Sequence, residues 1–224
     1  MGISSSRGAW PSKSLRDDRR ATPAVDWSAV APWYDWQRPL QRAPLRAAVE
    51  LVDPRRDDVL LDVATGTGGL LRELARRENR PGRAIGVDVS AAMLARIPPL
   101  PDEWSVTEGD ARGLDFADGE FSVATAAYLL HVVASADRGD IIGEVLRVLR
   151  PGGRFVTVTP AHPRTRLARM LYAPLAAAAG SSIGPAAGLR PLDPRQDLAE
   201  AGFTIAGARY VSRGFPSLCI LATR

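Results

Sequence analysis

The chain has 224 residues, of which 46% are hydrophobic and 24% charged, and its formal net charge is +4. This length suits one α/β domain with a full core, and the composition is typical of a globular protein. No apolar run reaches the roughly 20 residues that span a bilayer, and no apolar segment follows a basic start. The sequence therefore predicts neither a membrane span nor a signal peptide, and the expected compartment is the cytoplasm.

The positive charge is carried almost entirely by arginine, since Lys13 is the only lysine. Much of the excess lies in residues 1–23, a Ser-, Gly-, Arg- and Pro-bearing stretch that we predict to be a disordered tail. An arginine-rich, alanine-rich chain reflects genome base composition more than a nucleic-acid site, so nucleic acid is not the expected partner. Cys219 is the only cysteine, which excludes an intrachain disulfide, and its apolar neighbours indicate a buried strand.

Residues 24–224 are predicted to form a single domain, which opens with helices at 25–53. Aromatic residues crowd the start of this region at Trp27, Trp33, Tyr34 and Trp36. They either fix an N-terminal helix to the core by aromatic burial or form a cap over a ligand site. A second helix is expected from about Leu40 to Val52, where Asp53-Pro54 ends it.

The stretch Val59 to Leu74, VLLDVATGTGGLLREL, reads as a buried strand, a glycine turn and a helix. Its short apolar start is typical of a parallel strand covered on both faces. Asp62 lies at the end of that strand, so its carboxylate should emerge at the carboxyl edge of the sheet. Gly66 and Gly68 then allow a sharp turn and the close approach of a ligand to the main chain.

Three kinds of ligand compete for this turn. A phosphate-binding P-loop requires Lys and then Ser or Thr after the last glycine, but Leu70 and Leu71 stand there. A dinucleotide fingerprint requires a third glycine at Leu71, and Asp62 would repel a pyrophosphate, which opposes an NAD-dependent dehydrogenase. Asp62 suits a cation, and S-adenosylmethionine carries both an ammonium group and a positive sulfur.

Two more carboxylates follow at predicted strand ends. Asp88 ends a second strand that starts at Ala84, where a carboxylate can accept hydrogen bonds from both ribose hydroxyls. Ser90 is the expected N-cap of a helix at 91–96, in which Met93 is either core or an adenine contact. Asp110 comes at the exit of a third strand that begins at Trp104.

The second half of the chain continues the alternation, with one interruption. The predicted elements are a strand at 122–127, a helix at 137–149, a strand at 154–159, a short helix at 193–201 and strands at 203–211 and 217–223. A closing hairpin without an intervening helix requires antiparallel pairing. Residues 161–195 interrupt the pattern and are either a lid over the substrate or a solvated linker. Its apolar residues are Met170, Leu171, Tyr172, Leu175 and Ile183.

Several of these features resemble the class I S-adenosylmethionine-dependent methyltransferases, nearest to the ubiquinone/menaquinone-type (methyltransferase type 11-like) small-molecule branch. They are the acid-x-small-x-Gly-x-Gly spacing from Asp62 through Ala64, Gly66 and Gly68, the acids Asp88 and Asp110, and the turn Pro151-Gly152-Gly153. The segment from Val30 to Asp35 also resembles the A-x-x-Y-D helix that closes over the cofactor in this branch. The resemblance covers 25–224, and it departs at Phe121-Ser122, where many relatives have Phe-Asp.

The resemblance implies a Rossmann-like doubly wound α/β fold. Its seven-stranded sheet has the order 3-2-1-4-5-7-6 with strand 7 antiparallel and helices on both faces. It implies S-adenosylmethionine as cofactor and S-adenosylhomocysteine as product. The cofactor-binding residues it assigns are Tyr34, Asp62, Ala64, Gly66, Gly68, Asp88, Val89, Met93, Asp110, Ala111 and Ala127.

Methyl transfer from S-adenosylmethionine depends chiefly on aligning the acceptor with the methyl group and on excluding water. The leaving thioether is neutral, so the enzyme needs little further chemistry. A hydroxyl acceptor would also need a base, and His131 at the end of the fourth strand is the first candidate, with His162 as the only other histidine. Tyr34 is the third catalytic candidate, which could orient the acceptor or narrow the channel for methyl transfer. The alternatives are a histidine bonded to a neighbouring element and an exposed loop residue. Tyr128 and Tyr172 could orient a phenol or ketone, whereas an activated carbon requires no strong base. No residues have metal-ligand spacing, so no metal is predicted.

The predicted function is methyl transfer to a hydroxyl or activated carbon of a lipophilic small molecule, such as a quinone precursor or secondary metabolite. One alternative is a domain that binds the cofactor without transferring methyl, as a scaffold or in another natural-product reaction. Another is a nucleic-acid methyltransferase, which the sequence Ala126-Ala127-Tyr128-Leu129 opposes because it lacks the Asn/Asp-Pro-Pro-Tyr/Phe loop. The aromatic N-terminal segment could also serve a dimer.

Overall fold

The computed structural model of the protein describes residues 27–165, 170 and 190–224. The strands are β1 (Val59–Val63), β2 (Arg83–Asp88), β3 (Trp104–Glu108), β4 (Phe121–Ala127), β5 (Leu149–Pro160), β6 (Thr204–Val211) and β7 (Ser217–Thr223). The helices are α1 (Trp27–Tyr34), α2 (Arg38–Val52), α3 (Gly69–Ala75), α4 (Ala91–Leu94), α5 (Ser135–Val148) and α6 (Arg195–Glu200), with a 3-10 turn at Asp35–Gln37. The predicted tail and residues 166–169 and 171–189 of the predicted lid lie outside the described residues.

The seven strands form one sheet in the order β3-β2-β1-β4-β5-β7-β6. Strands β1 to β5 pair in parallel, and β7 pairs antiparallel with both β5 and β6. This confirms the predicted fold, its strand order and its closing hairpin. The order reverses between β1 and β4, and in doubly wound sheets the crevice at this reversal is the usual place for a ligand.

Apolar residues cover both faces of the sheet. On one face Leu61 belongs to a buried cluster that includes Ile142 of α5, and on the other Leu60 belongs to a cluster with Val49 of α2 and Leu71 of α3. Neighbouring residues of β1 thus point to opposite layers, as the two-residue period of a strand requires. This packing fixes the carboxyl ends of β1 and β4 side by side.

Several element boundaries differ from those predicted by one or two residues, and the start of β5 differs by five. Helix α4 ends at Leu94 rather than at residue 96, because the amides of Arg96 and Ile97 bond to carbonyls three residues back, as in a 3-10 turn. Strand β5 begins at Leu149 rather than at residue 154, because Leu149 already pairs with Phe121 before a register shift. Gly152, with φ of 74°, makes the turn within this strand.

The departure at Ser122 has a local explanation at the opposite edge of the sheet. The Ser122 hydroxyl donates to Asp58 at 2.7 Å and accepts from the Val59 amide at 3.0 Å. Asp58 also pairs with Arg154 at 2.5 Å, and Arg154 donates to the Val52 carbonyl at the end of α2. Asp58 therefore provides the carboxylate of this network, and its contacts join α2, β1, β4 and β5.

Candidate active site at the carboxyl edge of the sheet

The glycine turn after β1 is held in a strained but well-bonded conformation. Ala64, Gly66 and Gly68 all have positive φ, at 55°, 55° and 74°. The Thr65 amide donates to the Val87 carbonyl at 2.9 Å, which ties the turn to the end of β2. Left-handed backbone costs a residue with a side chain about 1–2 kcal/mol, so Ala64 is a point of stored strain beside the candidate site.

Asp62 is buried beneath this turn, with 1% of its surface exposed. Its two carboxylate oxygens accept hydrogen bonds from the hydroxyls of Thr65 and Thr125, both at 2.7 Å. Burial raises the pKa of Asp62 to about 6, and the nearby charge of Asp88 adds to the rise although the two hydroxyls oppose it. A cation placed against this carboxylate would stabilise its ionised form and lower the pKa.

Asp88 joins the glycine turn to the start of α4. One of its oxygens accepts from the Gly66 amide at 2.8 Å and the other from the Ser90 amide at 2.9 Å. Burial raises the pKa of Asp88, and these backbone donors counter it. The Ser90 hydroxyl accepts from the Met93 amide, so Ser90 caps α4 as predicted, and the Met93 side chain is buried. Each Asp88 oxygen retains a lone pair that a ribose hydroxyl could use.

The exit of β3 lies next to this group. The Gly109 amide donates to the Asp88 carbonyl at 3.0 Å, and Ala111 behind it is buried. Asp110 is half-exposed and forms an ion pair with Arg112 at 2.6 Å, which lowers the pKa of Asp110. Any adenine amino group bound there would share the Asp110 carboxylate with Arg112. Val89 is 54% exposed at this edge.

The N-terminal segment reaches the glycine turn through two consecutive residues. The Tyr34 ring lies over Gly66, where an added Cβ would stand 3.9 Å from it, and the Tyr34 hydroxyl accepts from Gln41 at 3.5 Å. Asp35 accepts from the Thr67 hydroxyl at 2.9 Å and forms ion pairs with Arg96 at 3.1 Å and Arg72 at 3.9 Å. Burial raises the pKa of Tyr34, and the charges of Asp88 and Asp35 add to the rise.

A cavity of about 360 Å³ opens between α2, α3 and the ends of β1 and β4. It brings together four of the residues that the resemblance assigned to the cofactor, namely Tyr34, Asp62, Ala64 and Ala127, whereas His131 and His162 do not line it. Both signs of charge line the cavity. Asp62 is its buried carboxylate, and the other charged lining residues are Arg38, Arg42, Arg72, Arg76, Asp35 and Glu73.

This charge distribution suits a zwitterion. Burial and the neighbouring charge of Arg38 lower the pKa of Arg72, although the charges of Asp35 and Glu73 oppose this shift. Arg72 is held in place by its bond to the Thr67 carbonyl at 2.5 Å. An amino acid end group would place its ammonium toward Asp62 and its carboxylate toward Arg38 and Arg72, so the residues present fit the methionine part of S-adenosylmethionine.

The other half of the edge follows β4. Tyr128 has a φ of 59°, and its hydroxyl lies 3.0 Å from that of Ser217. The His131 ring stands edge-on to the Tyr128 ring, with centroids 6.1 Å apart. Burial, with a smaller contribution from the charge of Arg138, lowers the pKa of His131 to about 3. His131 is therefore a neutral imidazole at physiological pH, in which one ring nitrogen can accept a hydrogen bond.

The remaining predicted residues lie apart from this group. His162 is exposed, and its carbonyl accepts from the Tyr210 hydroxyl at 3.3 Å. Tyr172 lies outside the described residues, and Met170 is 74% exposed. Among the residues described, no group of three His, Cys, Asp or Glu side chains could hold a metal ion. No helix in the described part of the chain is long and apolar enough to cross a membrane.

Comparison with known proteins agrees with this geometry. Residues 60–153, which carry Asp62, Asp88 and Asp110, match the family model described as a methyltransferase domain. The ubiquinone/menaquinone biosynthesis C-methyltransferase UbiE of Geobacter sulfurreducens is 34% identical over 157 residues, covering 65% of this chain and 60% of that protein. The chain belongs to the class I methyltransferases. The curated relatives that it matches include methyltransferases of the ubiquinone/menaquinone type.

Solved structures share the fold of this chain at low sequence identity. An S-adenosylmethionine-dependent methyltransferase from Aquifex aeolicus matches 88% of this chain and 98% of its own, with a TM-score of 0.63 and 15% identity. The [4+2]-cyclase SpnF matches 82% of this chain and 80% of its own, with a TM-score of 0.63 and 21% identity. The alignments to the first curated relatives span 55% to 63% of those proteins' lengths.

Sequence reasoning missed several residues that build this candidate site. The hydroxyls of Thr65 and Thr125 donate hydrogen bonds to the two Asp62 oxygens. The sequence features that could have indicated them were a hydroxyl residue within the turn and another at the matching position of the neighbouring strand. Gly86 lies in β2, where an added Cβ would stand 2.9 Å from Thr65 Cγ2. A glycine inside a strand often marks the close approach of another element, and that signal was present. The contacts of Asp35 span many residues and left no local pattern.

Proposed function

We propose that the protein transfers the methyl group of S-adenosylmethionine to an oxygen or activated carbon of a lipophilic, quinone-like small molecule. The observation that carries this proposal is a cavity lined both by a buried carboxylate, Asp62, and by the arginines Arg38 and Arg72. The ribose would lie at Asp88, which already orders the glycine turn through the Gly66 amide. The matched methyltransferase domain supports this choice of cofactor.

When bound, S-adenosylmethionine supplies an electrophilic methyl group on a positive sulfur. The chain's own residues would orient it and keep water away. Asp62 would hold the ammonium, Arg38 and Arg72 the carboxylate, and Tyr34 would cover the turn from above. Preorganised charges in a site of low dielectric need no rearrangement during the reaction, which is the largest contribution that a protein makes to many reactions.

The acceptor would enter from the half of the edge beyond β4, where Tyr128 and His131 lie. A quinone-like acceptor is favoured by the relative UbiE, whose name places it in ubiquinone and menaquinone biosynthesis. His131 would accept a hydrogen bond from a hydroxyl acceptor and so orient it. Its pKa of about 3 makes it too weak a base to take the proton, which argues against the base role predicted from the sequence. Tyr34 would then narrow the path between cofactor and acceptor, and His162 would take no direct part because it is exposed and does not line the cavity.

Calorimetric titration with S-adenosylmethionine tests the cofactor, with NAD as the control ligand and Asp88→Ala as the control variant. We expect micromolar binding to the intact protein, none for NAD, and a loss of at least about 100-fold in the variant, because two charge-assisted hydrogen bonds are worth about 3 kcal/mol or more. Absence of S-adenosylmethionine binding would refute the proposal.

Transfer is tested separately, with S-adenosylmethionine labelled in its methyl group and a panel of naphthols and reduced naphthoquinones. Label appearing in the organic phase would support the proposed reaction. Tight binding of the cofactor without transfer to any member of the panel would favour a scaffold or a different reaction on the same fold.

A further inference from the structure

Unpaired buried polar atoms single out the region beyond β4. Within the described residues, three fully buried side-chain polar atoms have no hydrogen-bond partner: His131 Nδ1, Arg138 Nε and Thr157 Oγ1. Leaving such an atom unpaired costs about 1–3 kcal/mol, so native structures keep few of them and each calls for an explanation. Two of the three lie on one short stretch of chain: Arg138 is in the first turn of α5, seven residues after His131, and its charge acts on the His131 ring.

Both side chains are fixed by their surroundings, so the unpaired atoms are not an effect of loose placement. Arg138 lies in the first turns of α5, where its Nη1 donates to Asp197 of α6 at 2.8 Å and its Nη2 to Ser135 at 3.5 Å. These bonds hold the guanidinium plane and leave the Nε–H as its unused donor. The His131 ring is held edge-on against Tyr128, whose hydroxyl in turn contacts Ser217.

The two unused atoms have complementary hydrogen-bond character. Nδ1 of a neutral imidazole accepts a hydrogen bond when the proton is on Nε2, and the Nε–H of arginine can only donate. A hydroxyl group satisfies both at once, since it has one hydrogen to give and lone pairs to receive. A carbonyl, an ether or a carboxylate satisfies Arg138 alone and leaves Nδ1 unpaired.

We infer that His131 and Arg138 together bind one acidic hydroxyl group of the methyl acceptor, which donates to His131 Nδ1 and accepts from Arg138 Nε. The inference rests on the proposed function, because it assumes that the acceptor enters beyond β4. It assigns Arg138 as a specificity-determining residue, and it names the acceptor class as phenols and enols. The positive charge of Arg138 favours the oxygen that carries the most negative charge, which selects acidic hydroxyls over aliphatic alcohols.

The test compares two probes that differ in one hydrogen-bond donor, 1-naphthol and 1-methoxynaphthalene. Their affinities are measured by fluorescence titration of the full chain saturated with S-adenosylhomocysteine. We expect the intact protein to prefer 1-naphthol by at least ten-fold, and Arg138→Met and His131→Phe to reduce that preference to less than two-fold. Asp197→Asn is the matched control, because asparagine still accepts from Nη1 and leaves the Nε–H in place, and it should keep the preference.

The outcomes separate this inference from the proposed function. Absence of S-adenosylhomocysteine binding to the intact protein would overturn both. Normal S-adenosylhomocysteine binding without a preference for 1-naphthol would overturn the inference alone. An equal loss of preference in Asp197→Asn and Arg138→Met would also overturn it, since the effect would then follow the ion pair between α5 and α6. Circular dichroism and melting of each variant distinguish a lost contact from a lost fold.

Discussion

The two halves of the sheet's carboxyl edge are built on opposite plans. In the half at β1 and β2, Asp62 and Asp88 each have both oxygens bonded to other groups of the chain. In the half beyond β4, His131 and Arg138 each keep a buried polar atom without a partner in the part of the chain that the structure describes. The first half is complete before a ligand arrives, whereas the second leaves a bond for the ligand to make.

This difference teaches how one fold can serve many acceptors. The cofactor is the same whatever the acceptor, so a preorganised site binds it more tightly, because no bond in the protein has to be rearranged on binding. A site selects a particular acceptor through its own buried polar groups. A wrong molecule leaves some of these groups without a hydrogen-bond partner and therefore binds more weakly. Substitutions in the first half should therefore change the affinity for the cofactor and leave the choice of acceptor unchanged.

The largest expected effect is that of Asp62→Asn on cofactor affinity. The substitution removes the negative charge opposite the ammonium but keeps a group that can bond to Thr65 and Thr125. Losing one partner of a buried charge pair costs about 2–5 kcal/mol, so we expect S-adenosylmethionine to bind at least about 30-fold more weakly by calorimetry. The preference for 1-naphthol over its methyl ether, measured with S-adenosylhomocysteine raised to saturate the variant, should be unchanged.

The same variant should not lose stability at pH 8. A folded-state pKa raised from 3.8 to about 6 corresponds to about 3 kcal/mol spent on ionising Asp62 in the folded protein, and asparagine avoids that cost. Urea unfolding should therefore give an unchanged or larger free energy for Asp62→Asn. A clear drop in the free energy of unfolding would indicate that the Asp62 carboxylate stabilises the fold, and it would contradict the view that this half of the edge serves the cofactor alone.

The second prediction concerns pH. A cation binds the ionised form of Asp62, so cofactor affinity should be constant above pH 7 and fall by up to about ten-fold per unit below the pKa of about 6. The stability of the free protein should depend on pH in the opposite direction. Because the folded-state pKa is raised, the contribution of Asp62 to the unfolding free energy is greatest below pH 4 and declines as the pH rises through 6. Titrations of intact protein and Asp62→Asn between pH 5 and 8 check this, and a pH profile shared by both would refute it.

The substitution Gly86→Ala tests how closely the glycine turn packs against β2. The new Cβ would stand 2.9 Å from Thr65 Cγ2 and 3.1 Å from Leu71 Cδ1, so the turn or α3 must shift. Overpacking of this kind costs about 1–3 kcal/mol, and the displaced turn should also bind the cofactor more weakly. The matched control is Gly143→Ala on the exposed face of α5, where an added Cβ meets nothing within 4 Å. We expect that control to gain about 0.5–1 kcal/mol in urea unfolding.

The smallest expected effect is that of Ala64→Gly. Glycine adopts the φ of 55° without strain, which recovers about 1–2 kcal/mol, but its greater freedom in the unfolded chain costs about 0.5–1 kcal/mol. The net gain should lie between zero and about 1.5 kcal/mol, visible as a melting temperature raised by up to a few degrees. A lower melting temperature would show that the left-handed conformation of Ala64 is not strained.

Much of the fold could be predicted because its signals are local. The apolar run before Asp62, the glycines after it and the hairpin without a helix lie within short windows, and the parallel order then follows from the family resemblance. The buried contacts of Asp62 were not predicted, because Thr125 comes from a strand 63 residues away. The resemblance assigned Asp110 to the cofactor, but its pairing with Arg112 was not predicted, because it depends on side-chain geometry that the sequence does not show.

The candidate site was predicted unevenly for a physical reason. Cofactor residues follow a pattern of glycines and acids, since backbone conformation and charge limit which residues can stand there. His131 was chosen by its position after β4, but nothing in the sequence indicated that Arg138 would lie near it with an unused donor. An unpaired atom becomes visible only when every neighbour has been placed.

Asp35 has one further consequence, which concerns cooperativity. Its carboxylate joins three separate parts of the fold: Thr67 of the glycine turn, Arg72 of α3 and Arg96 beyond α4. Any motion of the N-terminal segment away from the turn must break these contacts together, so its opening is a single event rather than a gradual fraying. Two of the three contacts are ion pairs with partly exposed arginines, and salt weakens such pairs. The frequency of that opening should therefore rise with ionic strength.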